Sequence, residues 1–166
     1  MSPFARLLLE PSIKQLIEHF KNTTKYESQF QFQLAKYQFE QKHYAAAALC
    51  LAEAMVSLVA ECEGLNNNNR QLAKNVIMST ELPEKMKNYS KFYRFYLLEK
   101  KNVTEDAVED HSKDIQKKYR KTFIDLSNIR NGVAHILSKN TSLDDAKDCI
   151  KNALDFVSPL VSFDKR

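Results

Sequence analysis

Hydrophobic residues recur at intervals of three and four along nearly the whole chain, and no long stretch alternates between apolar and polar positions. Intervals of three and four place side chains on one face of an α-helix, whereas strict alternation is typical of a β-strand. The pattern therefore predicts an all-α protein, folded as a compact antiparallel bundle of about five to seven helices. We expect the 166 residues to form a single domain, because a chain of this length buries roughly 70% of its unfolded surface.

The helix boundaries follow from breaks in this pattern and from residues that favour helix ends. The helix predicted over 43–63 is apolar on most sides, which places it at the centre of the bundle. Glu53, Ser57 and Glu61 form a thin polar stripe along it, and Gly64 is expected to end it. The other predicted helices cover about 3–21, 25–41, 70–79, 84–101 and 104–138, and a last helix begins in the turn at 140–145 and runs to about 157, where Pro159 stops it.

Glycine and cysteine usage exclude several classes of site. Gly64 and Gly132 are the only glycines, whereas Rossmann and P-loop nucleotide sites each need several in one short turn. The three cysteines are odd in number and form no C-x-x-C pair, so neither a disulfide framework nor a zinc site is predicted. The early apolar run, Leu7 to Leu9, is far too short to span a membrane. We expect no metal, no cofactor, no membrane contact and a reducing, cytoplasmic location.

The net charge of +4 is concentrated in one part of the chain. Residues 83–121 carry eleven basic and seven acidic side chains, which accounts for the whole excess, and the stretch 113–121 (KDIQKKYRK) reaches +4 alone. Such a stretch suits the phosphate backbone of a nucleic acid, but an ordinary solvated helix face has the same composition, and both interpretations remain open. The candidate RNA-binding residues here are Lys117, Lys118, Arg120 and Lys121.

The most specific chemistry lies near the end of the helix predicted over 104–138. On a helical wheel, His135 points away from the apolar arc of this helix, and Asn128 and Asn131 lie on the same side as His135. Gly132 lies inside the helix, where it costs about 1 kcal/mol relative to alanine. A position without a side chain lets another helix or a polynucleotide backbone approach closely, which predicts a binding surface around His135.

The segment Arg130-Asn131-Gly132-Val133-Ala134-His135 resembles the R-N-x-x-x-H form of the HEPN superfamily motif. HEPN domains are small all-helical bundles that carry this motif on a late helix, as predicted here. The stretch 39–55 is also similar to the corresponding helical pair in HEPN domains of type III CRISPR-associated ribonucleases. The resemblance covers about 120 residues, without the Rossmann-like sensor of cyclic oligoadenylate that precedes the HEPN domain in those enzymes. We therefore interpret 1–166 as a single domain of HEPN type, with a sensor domain or partner protein in cis or trans.

The resemblance implies a metal-independent endoribonuclease that acts as a homodimer on single-stranded RNA, in CRISPR-associated antiviral defence. Two motifs would face each other in one composite cleft, and cleavage would leave 2′,3′-cyclic phosphate and 5′-hydroxyl ends. His135 would be the general acid or base, because its ordinary pKa lies near neutrality. Arg130 would stabilise charge on the phosphate oxygens. Asn131 would orient the imidazole or bind the RNA backbone, and Asn128 would contact RNA.

Three alternatives remain open at this stage. A HEPN toxin paired with a nucleotidyltransferase antitoxin usually has a tyrosine two residues after the histidine, and here that position is Leu137. A catalytically silent HEPN bundle would serve only for binding or dimerisation. A helical scaffold unrelated to HEPN would leave Arg130 and His135 on a solvated face. In the ribonuclease interpretation, Glu53 is a candidate to orient Arg130 through a salt bridge.

Overall fold

The structure, a computed structural model, describes residues 18, 20, 25–65, 69–79, 105–134 and 142–162, with the backbone alone at 105–113 and 133–134. These residues form α-helices and their connections, and none of them lies in a β-strand, so the predicted all-α bundle is confirmed. The predicted helix over 84–101 lies outside the described residues, and of the one over 3–21 only Glu18 and Phe20, both helical, are described. The helices are α1 (Glu27–Glu40), α2 (Tyr44–Cys62), α3 (Arg70–Met78), α4 (Glu105–Ala134) and α5 (Leu143–Val161).

Helix α2 is the centre of the bundle, as its apolar composition predicts. Eleven of its nineteen residues are buried, and it contacts each of the other four helices. Among the described helices, α2 alone is long and apolar enough to span a membrane by length and composition. A buried core helix meets the same criteria, and the contacts of α2 are those of a core helix.

Helices α1 and α2 end in the same backbone geometry but use different residues for it. Gly64 follows α2 with φ of +64°, and the N–H of Leu65 donates to the carbonyl of Ala60 at 2.7 Å. This left-handed closure is the one that glycine favours, so the predicted role of Gly64 is confirmed. Lys42 occupies the equivalent position after α1 with φ of +62°, where a residue with a Cβ is uncommon. The tight reversal from α1 into α2 therefore carries local backbone strain.

Helix α5 begins as predicted but ends later than predicted. The Ser142 hydroxyl accepts from the N–H of Asp145 at 3.1 Å, and the Asp145 carboxylate accepts from the N–H of Ser142 at 3.2 Å. The prediction that Pro159 stops the helix is wrong, because α5 continues to Val161. A proline in the last turn deprives only one carbonyl, that of the residue four positions earlier, of its donor. Burial of Leu160 and Val161 against the core holds the final turn in place.

Helix α4 is anchored to the centre of the bundle along one face. Tyr119 is fully buried, and its hydroxyl donates to the backbone carbonyl of Met55 on α2 at 2.8 Å. Leu126 and Ile129 continue the buried face toward the C-terminal end of the helix. These three positions fix the rotation of α4, so the orientation of the residues between and after them is set by the core.

Candidate active site

Helix α4 carries four exposed polar side chains on the side away from its buried residues, with the partly buried Ile124 between them. Lys117, Lys121, Asn128 and Asn131 are exposed, and at 3.6 residues per turn they fall within an arc of about 80°. We call these four residues the α4 stripe. It is about 21 Å long from its first residue to its last, since each helical residue adds about 1.5 Å. The position of Asn128 and Asn131 opposite the core, predicted from the helical wheel, is confirmed.

Arg130 lies about 100° around α4 from Asn131, the last residue of the stripe, but its side chain is held by that neighbour. The Arg130 side chain is exposed, and its Nε and Nη2 donate to Oδ1 of Asn131 at 3.2 Å and 3.1 Å. Within the ranges that the structure describes, no carboxylate lies within ion-pair distance of Arg130. Its positive charge therefore has no counter-ion among the residues that the structure describes, which leaves it available to a phosphate.

The structure describes only some of the other residues of the predicted motif. Gly132 is in α4 and is partly buried. His135 and Leu137 lie outside the described residues, so the assignment of His135 as general acid or base stays a prediction. The predicted contact of Asn131 with the His135 imidazole is likewise untested, whereas the contact of Asn131 with Arg130 was not foreseen.

The other predicted RNA-binding residues lie on the two flanks of the stripe. The ammonium of Lys118 lies 4.6 Å from the centre of the Phe156 ring on α5, a cation–π contact. Arg120 is partly buried on the opposite flank, and its buried Nε has no hydrogen-bond partner among the atoms described. The structure thus places Lys117 and Lys121 on one face with the two asparagines, turns Lys118 toward α5, and leaves Arg120 partly buried at the other edge of the stripe.

A groove of about 700 Å³ lies between α4 and α5 beside Lys118. Cys149 lines it, and burial, reinforced by the Asp125 carboxylate, raises the pKa of this thiol above its ordinary value, against a smaller opposing effect of Lys121. The thiol is therefore protonated at neutral pH and is a poor nucleophile and metal ligand. The described part of the chain contains no group of three His, Cys, Asp or Glu side chains that could hold a metal ion.

The prediction that Glu53 pairs with Arg130 is wrong, because Glu53 belongs to a different charged cluster. Arg70, the first residue of α3, donates from Nη2 to Glu53 at 2.5 Å. Its Nη1 donates to the Ser57 hydroxyl at 3.0 Å and to Glu27 of α1 at 3.3 Å. This Arg70 cluster joins α1, α2 and α3, and it includes Glu53 and Ser57, two of the three polar residues predicted along α2.

The third polar residue of α2 has a separate partner. The Glu61 carboxylate accepts from the backbone N–H of Ser28 at 2.9 Å and from its hydroxyl at 2.6 Å, at the first turn of α1. The sequence analysis predicted neither Arg70 nor Ser28 as a partner of these polar residues of α2. The available signal was an arginine that follows the short connection after Gly64, where a returning helix must run alongside the acidic positions of α2.

Comparison of the chain with protein-family models, with curated proteins and with solved structures gives no match. The likeness to HEPN domains therefore depends on the motif at 130–135 and on its helical context.

Proposed function

We propose that the protein is a metal-independent endoribonuclease that cleaves single-stranded RNA through Arg130 and His135, at a composite site formed by two copies of the chain. The observation that supports this most directly is the state of Arg130. Its guanidinium is exposed, has no carboxylate partner among the described residues, and is held by the neutral amide of Asn131 at the end of the α4 stripe. Arg70, which joins three helices, has instead two carboxylate partners.

The chemistry suits these residues. A base removes the proton from the RNA 2′-hydroxyl, the 2′-oxygen forms a bond to the adjacent phosphorus, and the bond from phosphorus to the 5′-oxygen breaks. The departing 5′-oxygen takes a proton, which leaves a 2′,3′-cyclic phosphate and a 5′-hydroxyl. An imidazole exchanges protons near neutral pH, which suits His135 for these transfers. The N–H groups of Arg130 stabilise the negative charge that develops on the phosphate oxygens.

The spacing of the two residues favours two copies of the chain. If the helix continued to His135, five residues would turn it by about 140° relative to Arg130, so both side chains could not easily reach one phosphate from the same helix. Two facing helices bring the arginine of one copy toward the histidine of the other. By resemblance to the CRISPR-associated ribonucleases, we extend the proposal to antiviral defence in the cytoplasm, with a sensor domain or partner protein controlling the activity.

The test is incubation of a fluorescent single-stranded RNA in EDTA with wild-type protein, His135→Ala and the control His43→Ala. His43 is an exposed histidine at the start of α2, far from the motif in sequence. We expect wild type and the control to give cyclic-phosphate ends and His135→Ala to give none. An RNA with 2′-deoxyribose at the cleaved position should resist.

Three results would contradict the ribonuclease mechanism: cleavage that requires a metal, equal cleavage by clean His135→Ala, and ready cutting of the deoxy substrate. If wild type forms a dimer in sedimentation but cleaves no RNA, the silent HEPN module is favoured. A monomer without activity would favour the unrelated helical scaffold.

A further inference from the structure

The guanidinium of arginine has two edges that can each make a pair of hydrogen bonds. One edge consists of Nε and the nearer N–H of Nη2, and the other consists of the outer N–H groups of Nη1 and Nη2. In this structure, Asn131 Oδ1 accepts from Nε and Nη2 of Arg130, so it occupies the first edge. The outer edge is left facing away from Asn131, and its two parallel N–H groups match two oxygens of a phosphate.

We propose that Asn131 is a positioning residue that fixes the Arg130 guanidinium so that its outer edge receives the phosphate. The inference rests on the proposed ribonuclease and deepens it by naming how the anion is held. It differs from the role expected from the sequence, in which Asn131 contacts the histidine or the RNA. Arginine has many rotamers, so a side chain fixed before the substrate arrives loses less entropy at the transition state.

The chemical nature of residue 131 matters as much as its position. An amide oxygen accepts the same two hydrogen bonds as a carboxylate, but it adds no negative charge beside the guanidinium. A carboxylate at 131 would hold Arg130 equally well and would compete with the phosphate for its charge. Asparagine at 131 therefore orients the Arg130 guanidinium without neutralising its charge, whereas aspartate would do both.

Three variants separate these functions. Asn131→Ala removes the acceptor and raises helix propensity at an exposed site, so the fold should be retained. Asn131→Asp keeps the acceptor and adds the charge. Asn152→Ala removes another exposed asparagine, on α5, and serves as the control. The signal of the Arg130 Nε–H in nitrogen–proton NMR spectra, identified by its loss in Arg130→Lys, reports the orientation directly.

We expect the Arg130 Nε–H to exchange with solvent several-fold faster in Asn131→Ala than in wild type, and to stay protected in Asn131→Asp and Asn152→Ala. In a titration with inorganic phosphate, both variants at 131 should bind about five- to tenfold more weakly than wild type, for different reasons. In RNA cleavage, Asn131→Ala should lower kcat/KM about tenfold, because the unfixed Arg130 guanidinium no longer faces the phosphate in the right orientation.

Unchanged exchange of the Arg130 Nε–H in Asn131→Ala would overturn the inference, as would wild-type phosphate affinity in Asn131→Asp. The positioning role of Asn131 and the ribonuclease activity can each fail in these experiments without the other. RNA cleavage by wild type combined with unchanged exchange rejects the positioning role alone. The expected NMR and phosphate results in a protein that cleaves no RNA support the positioning role and reject the ribonuclease.

Discussion

Arg70 and Arg130 carry the same side chain in opposite electrostatic settings. The Arg70 side chain is 26% exposed and donates to the carboxylates of Glu53 and Glu27 and to a hydroxyl. Arg130 is exposed and donates to one neutral amide oxygen. With two carboxylates beside it, Arg70 has little attraction left for a further anion, and its hydrogen bonds instead join three helices. The partners of an arginine, more than its exposure alone, thus decide whether its charge is available to a further anion.

The largest effect that this comparison predicts is on catalysis. Arg130→Ala should lower the rate of RNA cleavage about 10²- to 10³-fold, because a donor to the developing charge is lost. Its thermal unfolding should match that of wild type, since an exposed side chain whose two hydrogen bonds go to one exposed neighbour contributes little to stability. Cleavage rates and unfolding curves measured on the same preparations check both parts. A variant that is destabilised in proportion to its loss of activity would make Arg130 a structural residue like Arg70.

Arg70→Ala should show the reverse behaviour. Removing Arg70 leaves the half-buried Glu53 with one distant partner among the described residues, Lys74 at 3.9 Å, and leaves the buried Ser57 hydroxyl without this donor. We expect the free energy of unfolding to fall by about 2 kcal/mol, less than for a fully buried ion pair, because the cluster is partly solvated.

Chemical denaturation followed by circular dichroism measures this change, with the exposed Lys36→Ala on α1 as the control. The cleavage rate of folded Arg70→Ala should equal that of wild type. A loss of cleavage at full folding would show that the two arginines belong to one functional unit.

The smallest expected effects concern the lysines of α4. Lys117→Gln and Lys121→Gln should each weaken RNA binding about two- to fourfold at moderate salt, and each should reduce the slope of log affinity against log salt by about 0.7. Lys118→Gln should change both quantities less, because its ammonium lies over the Phe156 ring beside an acidic groove. Fluorescence anisotropy across a salt series gives both numbers. Equal slopes for the three variants would mean that RNA does not follow the α4 stripe.

The parts of the fold that depend on local pattern were predictable from the sequence. The limits of α2, predicted as 43–63 and found as Tyr44–Cys62, follow from its apolar composition and from Gly64. The exposure of Asn128 and Asn131 follows from the period of the helix alone. These features involve residues close in the sequence, so the pattern of side chains determines them without knowledge of the packing.

The features that depend on contacts between helices were not predictable. The partner of Glu53 is decided by which helix lies along that side of α2, and this is α3 rather than the end of α4. Burial of Leu160 outweighs the local cost of Pro159, and no local signal reports that burial. The bond between Arg130 and Asn131 depends on the rotamers of two exposed side chains, which the sequence does not specify.

The bond from Ser28 to Glu61 also bears on how the chain acquires its structure as it is made. A ribosome releases α1 well before Glu61, which lies 33 residues beyond Ser28. A helix of 14 residues is marginal in water when it stands alone. The first turn of α1 therefore lacks the Glu61 carboxylate until the last turn of α2 has emerged, so this contact cannot help α1 to form before α2 is complete.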